Sequence, residues 1–233
     1  MSEVGPRNEE GMMPALSIHT LGYVTALLPL LTTHLCWGLS ILLGYIEPCN
    51  PYGVDCVSIS NTGRHGVAYF LFKAGMLPTT LLLFLFWGLC WQWLALLGQG
   101  RHRAWLLVAL LGSAALMLYA LTLGHSTGYY PVLRRNGIAL FLFMTFTLQV
   151  VVADGLYRTE RWHGAGLGLL WLSTLTLVVA LLSVALAAWL GEGYERLENG
   201  FEWWLLLLLN LPMLVLARLW QLSGLKMGLR LQE

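Results

Sequence analysis

Charge is what this chain has least of. Only 11% of its 233 residues are Asp, Glu, Lys or Arg, where a water-soluble domain carries roughly 25%. An ordinary solvated surface is thereby excluded. The charge present is balanced at +1, with no concentrated basic face, so nucleic acid is excluded as a partner. Cysteine is scarce, at four residues, and His65 is the sole histidine near the one close cysteine pair. A zinc site lacks its second pair of ligands, and no metal or cofactor is expected. No Gly-x-Ser-x-Gly or His-Glu-x-x-His signature appears, which removes the common hydrolase and metallopeptidase motifs. There is no internal repeat, and Pro29, Pro78 and Pro212 do not fall in matched positions of two halves, as broken-helix transporters would place them.

What is abundant is apolar length. Hydrophobic residues make up 58% of the chain, with 11 Trp. They gather into six runs near the ~20 residues that a helix needs to cross ~30 Å of hydrocarbon. The runs lie at residues 21–45, 70–97, 105–125, 137–157, 166–190 and 203–222. Backbone amides in lipid are satisfied within their own segment, and the runs lack the alternation of a barrel strand. The expected fold is therefore all-α, a polytopic integral membrane bundle of six helices over residues 21–222 with short loops. Residues 1–20 and 223–233 are its tails. The first run is read as a retained span, because Glu3, Glu9 and Glu10 precede it where a signal peptide is basic. Residues 66–74 are expected to lie along the interface before the second span, with Lys73 reaching to the headgroups.

Six spans place both tails on one side. Eight Lys and Arg fall on that side against five on the other, which predicts cytoplasmic termini. The opposite face then receives the acidic loop 191–202 and the interval Cys49–Arg64. An oxidising outer compartment and the turn-formers Pro51 and Gly53 make Cys49 and Cys56 the expected disulfide.

Polar residues inside a membrane are functional candidates by default. Asp154 is the one acid well inside a span, and Arg158 four residues on provides a helical partner. His34, mid-span, is expected to be a neutral imidazole bonded to a neighbouring helix. Haem would need a second histidine at the same depth, and His125, His102 and His163 lie at span ends or in linkers. At the outer face, Ser58, Ser60, His65 and His125 are the weak catalytic candidates, carrying hydroxyl and imidazole groups. Asn61, Arg64, Arg134 and Arg135 are candidates for lipid headgroups, the arginines as phosphate clamps. Ser60-Asn-Thr-Gly63 reads as a turn ahead of the second span.

The first span, the loop ending in Ser58-Ile-Ser-Asn-Thr-Gly63, and the aromatic Tyr69, Phe70 and Phe72 that follow resemble the DRAM/Sfk family, with its CWH-like N-terminal domain. In that family a serine-acidic-threonine-glycine element occupies the same place in a six-helix chain. Asn61 stands here where Asp is usual, and Arg64-His65-Gly66 replaces a common Pro-Glu. The resemblance implies a connection with membrane lipids; family members act in autophagy modulation, phosphoinositide signalling and remodelling of glycosylphosphatidylinositol anchors. Short loops and a leucine- and tryptophan-rich chain point to a bacterial member in the inner membrane. The function expected is binding of membrane lipids or of a membrane protein partner through the structured loop at 46–66. The alternatives are a lipid-modifying enzyme acting at the outer headgroup level, by acyl transfer or hydrolysis, and a small-solute transporter.

Overall fold

A computed structural model describes residues 17–225, except 101 and 126. The tails, with Arg7, Lys226 and Arg230, lie outside the described residues, as do Arg101 and Ser126. Every regular element described is helical: α1 (Ile18–Leu42), the one-turn α2 (Ile59–Thr62), α3 (Gly66–Leu96), α4 (Ala104–Thr122), α5 (Tyr130–Tyr157), α6 (His163–Leu190) and α7 (Glu195–Ser223). Five stretches are long and apolar enough to cross a membrane. Four are α1, α3, α4 and α5, and the fifth runs over 64 residues from Glu160 to Ser223. That last stretch is no single rod. Gly191, with φ +54, breaks it between α6 and α7, and those two helices pack on one another. The chain is a helical membrane bundle.

The six long helices form a ring. Each packs against the next in the chain, and α7 closes on α1. Side-chain contacts fix the antiparallel register. The Cys36 Sγ reaches the Ala68 carbonyl, the Trp105 indole donates to the Trp87 carbonyl at 3.0 Å, and His34 meets Trp203. One end of the ring, the terminal end, holds the first residues of α1 and the last of α7. The other, the loop end, holds Cys49–Arg64.

The terminal end is filled by aromatic rings. Phe86, Trp87 and Trp220 are fully buried, Trp220 lies 4.9 Å from Phe86 between ring centroids and 6.3 Å from Trp93, and Trp162 covers Trp93. Helices α5 and α6 close tightly there, since a Cβ on Gly166 would strike the backbone of Tyr157. Beyond Thr176, however, no residue of α6 is fully buried, and its Leu181, Val184 and Trp189 face outward, toward lipid in a membrane.

Three segments are more helical than their hydropathy implies. Residues 66–69 belong to α3, which is one unbroken helix, so no interfacial stretch precedes the span. Lys73 still turns toward the loop end, donating to the Tyr69 hydroxyl one turn back. Helix α5 starts seven residues early, because Pro131 sits in its first turn, where the missing N–H costs nothing. Helix α7 starts eight residues early: of the acidic loop 191–202, residues 195–202 are its first two turns. Charged turns that stand above the hydrocarbon remain helical without being apolar.

Candidate functional site

Cys49 and Cys56 are joined by a disulfide, closing a small loop at the head of the bundle. That loop is held down by one face of α7, the positions 196, 199, 200 and 203 that recur at helical spacing. The Asp55 amide donates to the Arg196 carbonyl at 2.8 Å, and the Arg196 guanidinium grips the Asp55 carboxylate. Asn199 donates to the Cys56 carbonyl at 2.6 Å, and the Trp203 indole to that of Val57 at 3.0 Å. Gly200 is needed there, since a Cβ would lie 2.6 Å from the Gly53 oxygen. These bonds satisfy a run of loop carbonyls that a membrane interface would otherwise leave dry. The Arg196 partnership holds the Asp55 carboxyl below its usual range, chiefly through the hydrogen bond.

Tyr52 carries the loop inward. Its hydroxyl meets the Nε2 of His34 at 2.9 Å, while His34 Nδ1 lies 2.7 Å from the Leu30 carbonyl. A carbonyl only accepts, so Nδ1 donates to Leu30 while Nε2 bonds the Tyr52 hydroxyl. His34 is therefore bonded to the loop, not to a neighbouring helix, and it packs edge-on against Trp203.

Beside the docked loop a cavity of about 720 Å³ enters the ring, within the roughly 300–1,000 Å³ typical of ligand sites. Two helix faces build most of it. On α5 these are positions 131, 134, 135, 138, 139, 141 and 142; on α7 they are 198, 199, 202, 205, 206 and 209. Both follow helical periodicity, charged toward the loop end and apolar below. Deeper still, Met76 and Leu83 of α3, Pro29 of α1 and Met213 form the walls. Asn210 lies near the bottom, 4% exposed, with its Oδ1 unpartnered. Helix α6 contributes nothing to this lining.

The mouth gathers charge of both signs. Arg64, Arg134 and Arg135 line it together with Glu198 and Glu202. Arg64 Nη2 donates to the Ser60 hydroxyl at 3.1 Å, but its buried Nε has no partner. Arg134 donates to the His125 carbonyl at 3.3 Å. The Glu202 carboxylate accepts the Ile59 amide at 3.1 Å through Oε2. No arginine of the mouth is paired with either glutamate: the ion pairs among the described residues are Arg158–Asp154 and Arg196–Asp55.

The residues singled out by sequence divide accordingly. Ser58, Ser60, Arg64, Arg134 and Arg135 meet in the cavity; Asn61, His65 and His125 are absent from its lining. Ser58 caps α2 by accepting the Asn61 amide at 3.3 Å, so Ser60-Asn-Thr-Gly63 is part of a helical turn and does not cap α3. His65 lies over Tyr45, and His125 stacks on Tyr130 at 4.6 Å. Neither imidazole is hydrogen-bonded to Ser58 or Ser60, whose hydroxyls lie 3.3 Å from each other and whose other partners are Asn61 and Arg64. The serine–histidine contact that a catalytic role for these four residues would need is absent; each ring lies against a tyrosine instead. Asp154 pairs with Arg158 at 2.9 Å beside a smaller cavity at the terminal end, a helix-surface ion pair. Glu198, Glu202, Asn199 and Tyr52 were missed. The signal that could have found the two glutamates is the spacing 198, 202, 205 and 209 that runs into the apolar stretch of α7. No family model, curated protein or solved structure matches the chain.

Proposed function

We propose that the chain is a six-span membrane protein that holds a membrane lipid, with acyl chain in the shaft of the ring and headgroup at the charged mouth. The observation that carries this reading is the polarity gradient of one continuous cavity. Arginine, glutamate and serine line its mouth, and its depth is mostly apolar, with Leu205, Leu209, Met213 and Leu83 beside Thr79 and Asn210. Apolar walls with a few convergent polar groups are what an amphipathic ligand requires, and arginine is suited to phosphate oxygens.

The sixth crossing is α7 counted apart from α6 at the Gly191 break. The excess of Lys and Arg on the terminal side, eight against five, supports cytoplasmic termini in a bacterial inner membrane and an outward-facing mouth. The disulfide agrees with an oxidising outer face. The Ser58–Gly63 element that resembles the DRAM/Sfk family supplies the lip of the cavity through Ser58, Ile59 and Ser60, in keeping with that family's connection with lipids. The lipid-modifying alternative loses its serine–histidine pair.

Purification in a mild detergent followed by native mass spectrometry tests the reading. The protein should retain phospholipid, and Ala139→Trp, placed on the cavity wall, should lower the retained lipid by about tenfold while the protein stays monodisperse. Equal lipid on both proteins would overturn it. A membrane-impermeant thiol reagent applied to intact cells after reduction should label Cys49 and Cys56; labelling only after permeabilisation would invert the orientation.

A further inference from the structure

We infer that the headgroup taken at the mouth carries both a phosphate and a primary ammonium, as phosphoethanolamine does. The inference rests on the lipid-binding reading and specifies its ligand.

Three arginines and two glutamates line one cavity mouth without pairing. No carboxylate oxygen of Glu198 or Glu202 comes within 4.0 Å of a nitrogen of Arg64, Arg134 or Arg135. Opposite charges that line one mouth, Arg135, Glu198 and Glu202 exposed and Arg64 and Arg134 half-buried, and that stay apart leave room for a dipolar ligand between them. The arginine side has unspent donors. Arg64 uses one Nη on Ser60 and leaves a buried Nε–H unpartnered; Arg134 spends one N–H on the His125 carbonyl. A guanidinium offers five N–H groups in a planar fork that matches phosphate oxygens. The glutamate side has unspent acceptors: Glu202 gives Oε2 to the Ile59 amide, leaving Oε1, and Glu198 one turn away presents a second carboxylate on the same face of α7.

An anionic headgroup such as glycerol phosphate would use the arginines and leave two carboxylates facing its own negative charge. A choline headgroup has an ammonium of the right sign, but its methyl groups donate no N–H to carboxylate oxygens. A primary ammonium has three donors and answers both glutamates. Charge complementarity at such a mouth acts as discrimination between ligands as well as affinity.

The full-length protein in detergent should be offered mixed vesicles holding equal parts of phosphatidylethanolamine, phosphatidylglycerol and phosphatidylcholine of identical chains. Retained lipid is then read by native mass spectrometry. The expected result is a preference of about tenfold for the ethanolamine lipid over each of the others. In Glu198→Gln/Glu202→Gln that preference should fall to near parity while phosphatidylglycerol is still retained. Gln keeps an acceptor for the Ile59 amide, and Glu198→Gln alone, which breaks no hydrogen bond, should lower the preference part of the way. Arg64→Gln should reduce retention of all three lipids. Soluble phosphoethanolamine at the same concentration should not displace the lipid; if it did, the headgroup alone would be the ligand and the lipid source would be wrong. Equal retention of the three lipids by the parent protein, or a preference that survives in the double variant, would overturn the inference and leave lipid binding standing. Absence of any retained phospholipid would instead overturn the lipid-binding reading itself.

Discussion

Helix α7 runs through two different environments within one length. Near its end, Trp220 is fully buried against Phe86 and Trp93, and Gly22 of α1 approaches so closely that a Cβ there would lie 2.7 Å from that of Ala217. About five to six turns earlier the same helix carries Glu198 and Glu202 on a cavity wall and holds the disulfide loop with the adjacent face. Along α7 one end is solid and the other hollow; the smaller cavity of the terminal end lies between α3, α4 and α5. Close packing of aromatics and small residues stabilises helix association in a membrane, where the hydrophobic effect gives no advantage to helix over lipid. The hollow end keeps one such cluster, Trp203 with His34 and Tyr52, and is held besides by hydrogen bonds to the docked loop. Stability and ligand capacity are thus expected to reside at opposite ends, and mutations should separate them.

The largest effect is expected at the solid end. Trp220→Ala removes a fully buried ring from the aromatic cluster and should cost about 3–5 kcal/mol, read as a lowered midpoint of thermal unfolding in nanodiscs. Lipid retained per folded molecule should not change. Trp220→Phe should cost much less, because the buried indole Nε1 has no partner to lose. A loss of lipid in Trp220→Ala before any loss of stability would show that the two ends are not separable.

The disulfide sharpens the comparison from the other end. Closing a sequence separation of seven stabilises by about 2–3 kcal/mol on the chain-entropy model. Cys49→Ser/Cys56→Ser, or reduction, should lower stability by that order. Ser58, Ile59 and Ser60 line the mouth two to four residues after Cys56, so lipid retention should fall as well. A variant that loses stability and keeps its lipid would mean that the loop is a clasp for α7 with no part in the cavity.

The helical membrane bundle was legible in hydropathy, because ~20 apolar residues in lipid have few alternatives to a helix. The ends of α5 and α7 were not. Residues 130–136 and 195–202 carry Arg134, Arg135, Glu195, Arg196, Glu198 and Glu202, and a hydropathy window scores such turns as loop. Those turns are what build the mouth, so the site lay in the part of the chain that the strongest sequence signal passes over. Asp154 with Arg158 was readable because an i, i+4 pair is local. The His34–Tyr52 bond joins residues 18 apart through a folded loop, and nothing local specifies it. The partners of His65 and His125 were not readable for a related reason: nothing local in sequence specifies Tyr45 and Tyr130, against which the two rings lie.

The smallest effect expected is that of the Asp55–Arg196 pair, which is solvent-exposed on both sides and screened accordingly. Its value lies in its pH signature. The Asp55 carboxyl is held below its ordinary range, first by the hydrogen bond from Arg196, and an unfolded Asp titrates near 3.9. A carboxyl depressed on folding stabilises at pH values above the unfolded pKa, and that contribution is lost as pH falls through the folded pKa. Asp55→Asn removes the charge and keeps the backbone bond to the Arg196 carbonyl, and Asn tolerates the φ of +58 found there. The difference in unfolding midpoint between the parent protein and Asp55→Asn should be constant above about pH 5 and shrink below about pH 4. A difference that persists undiminished to pH 3 would show that the ion pair contributes nothing titratable and that the loop is docked by Asn199, Trp203 and the Asp55 amide alone. Lipid retention at neutral pH should be nearly the same in both proteins, because Arg196 lies on the loop-holding face of α7 and Asp55 in the loop it holds, and neither lines the cavity.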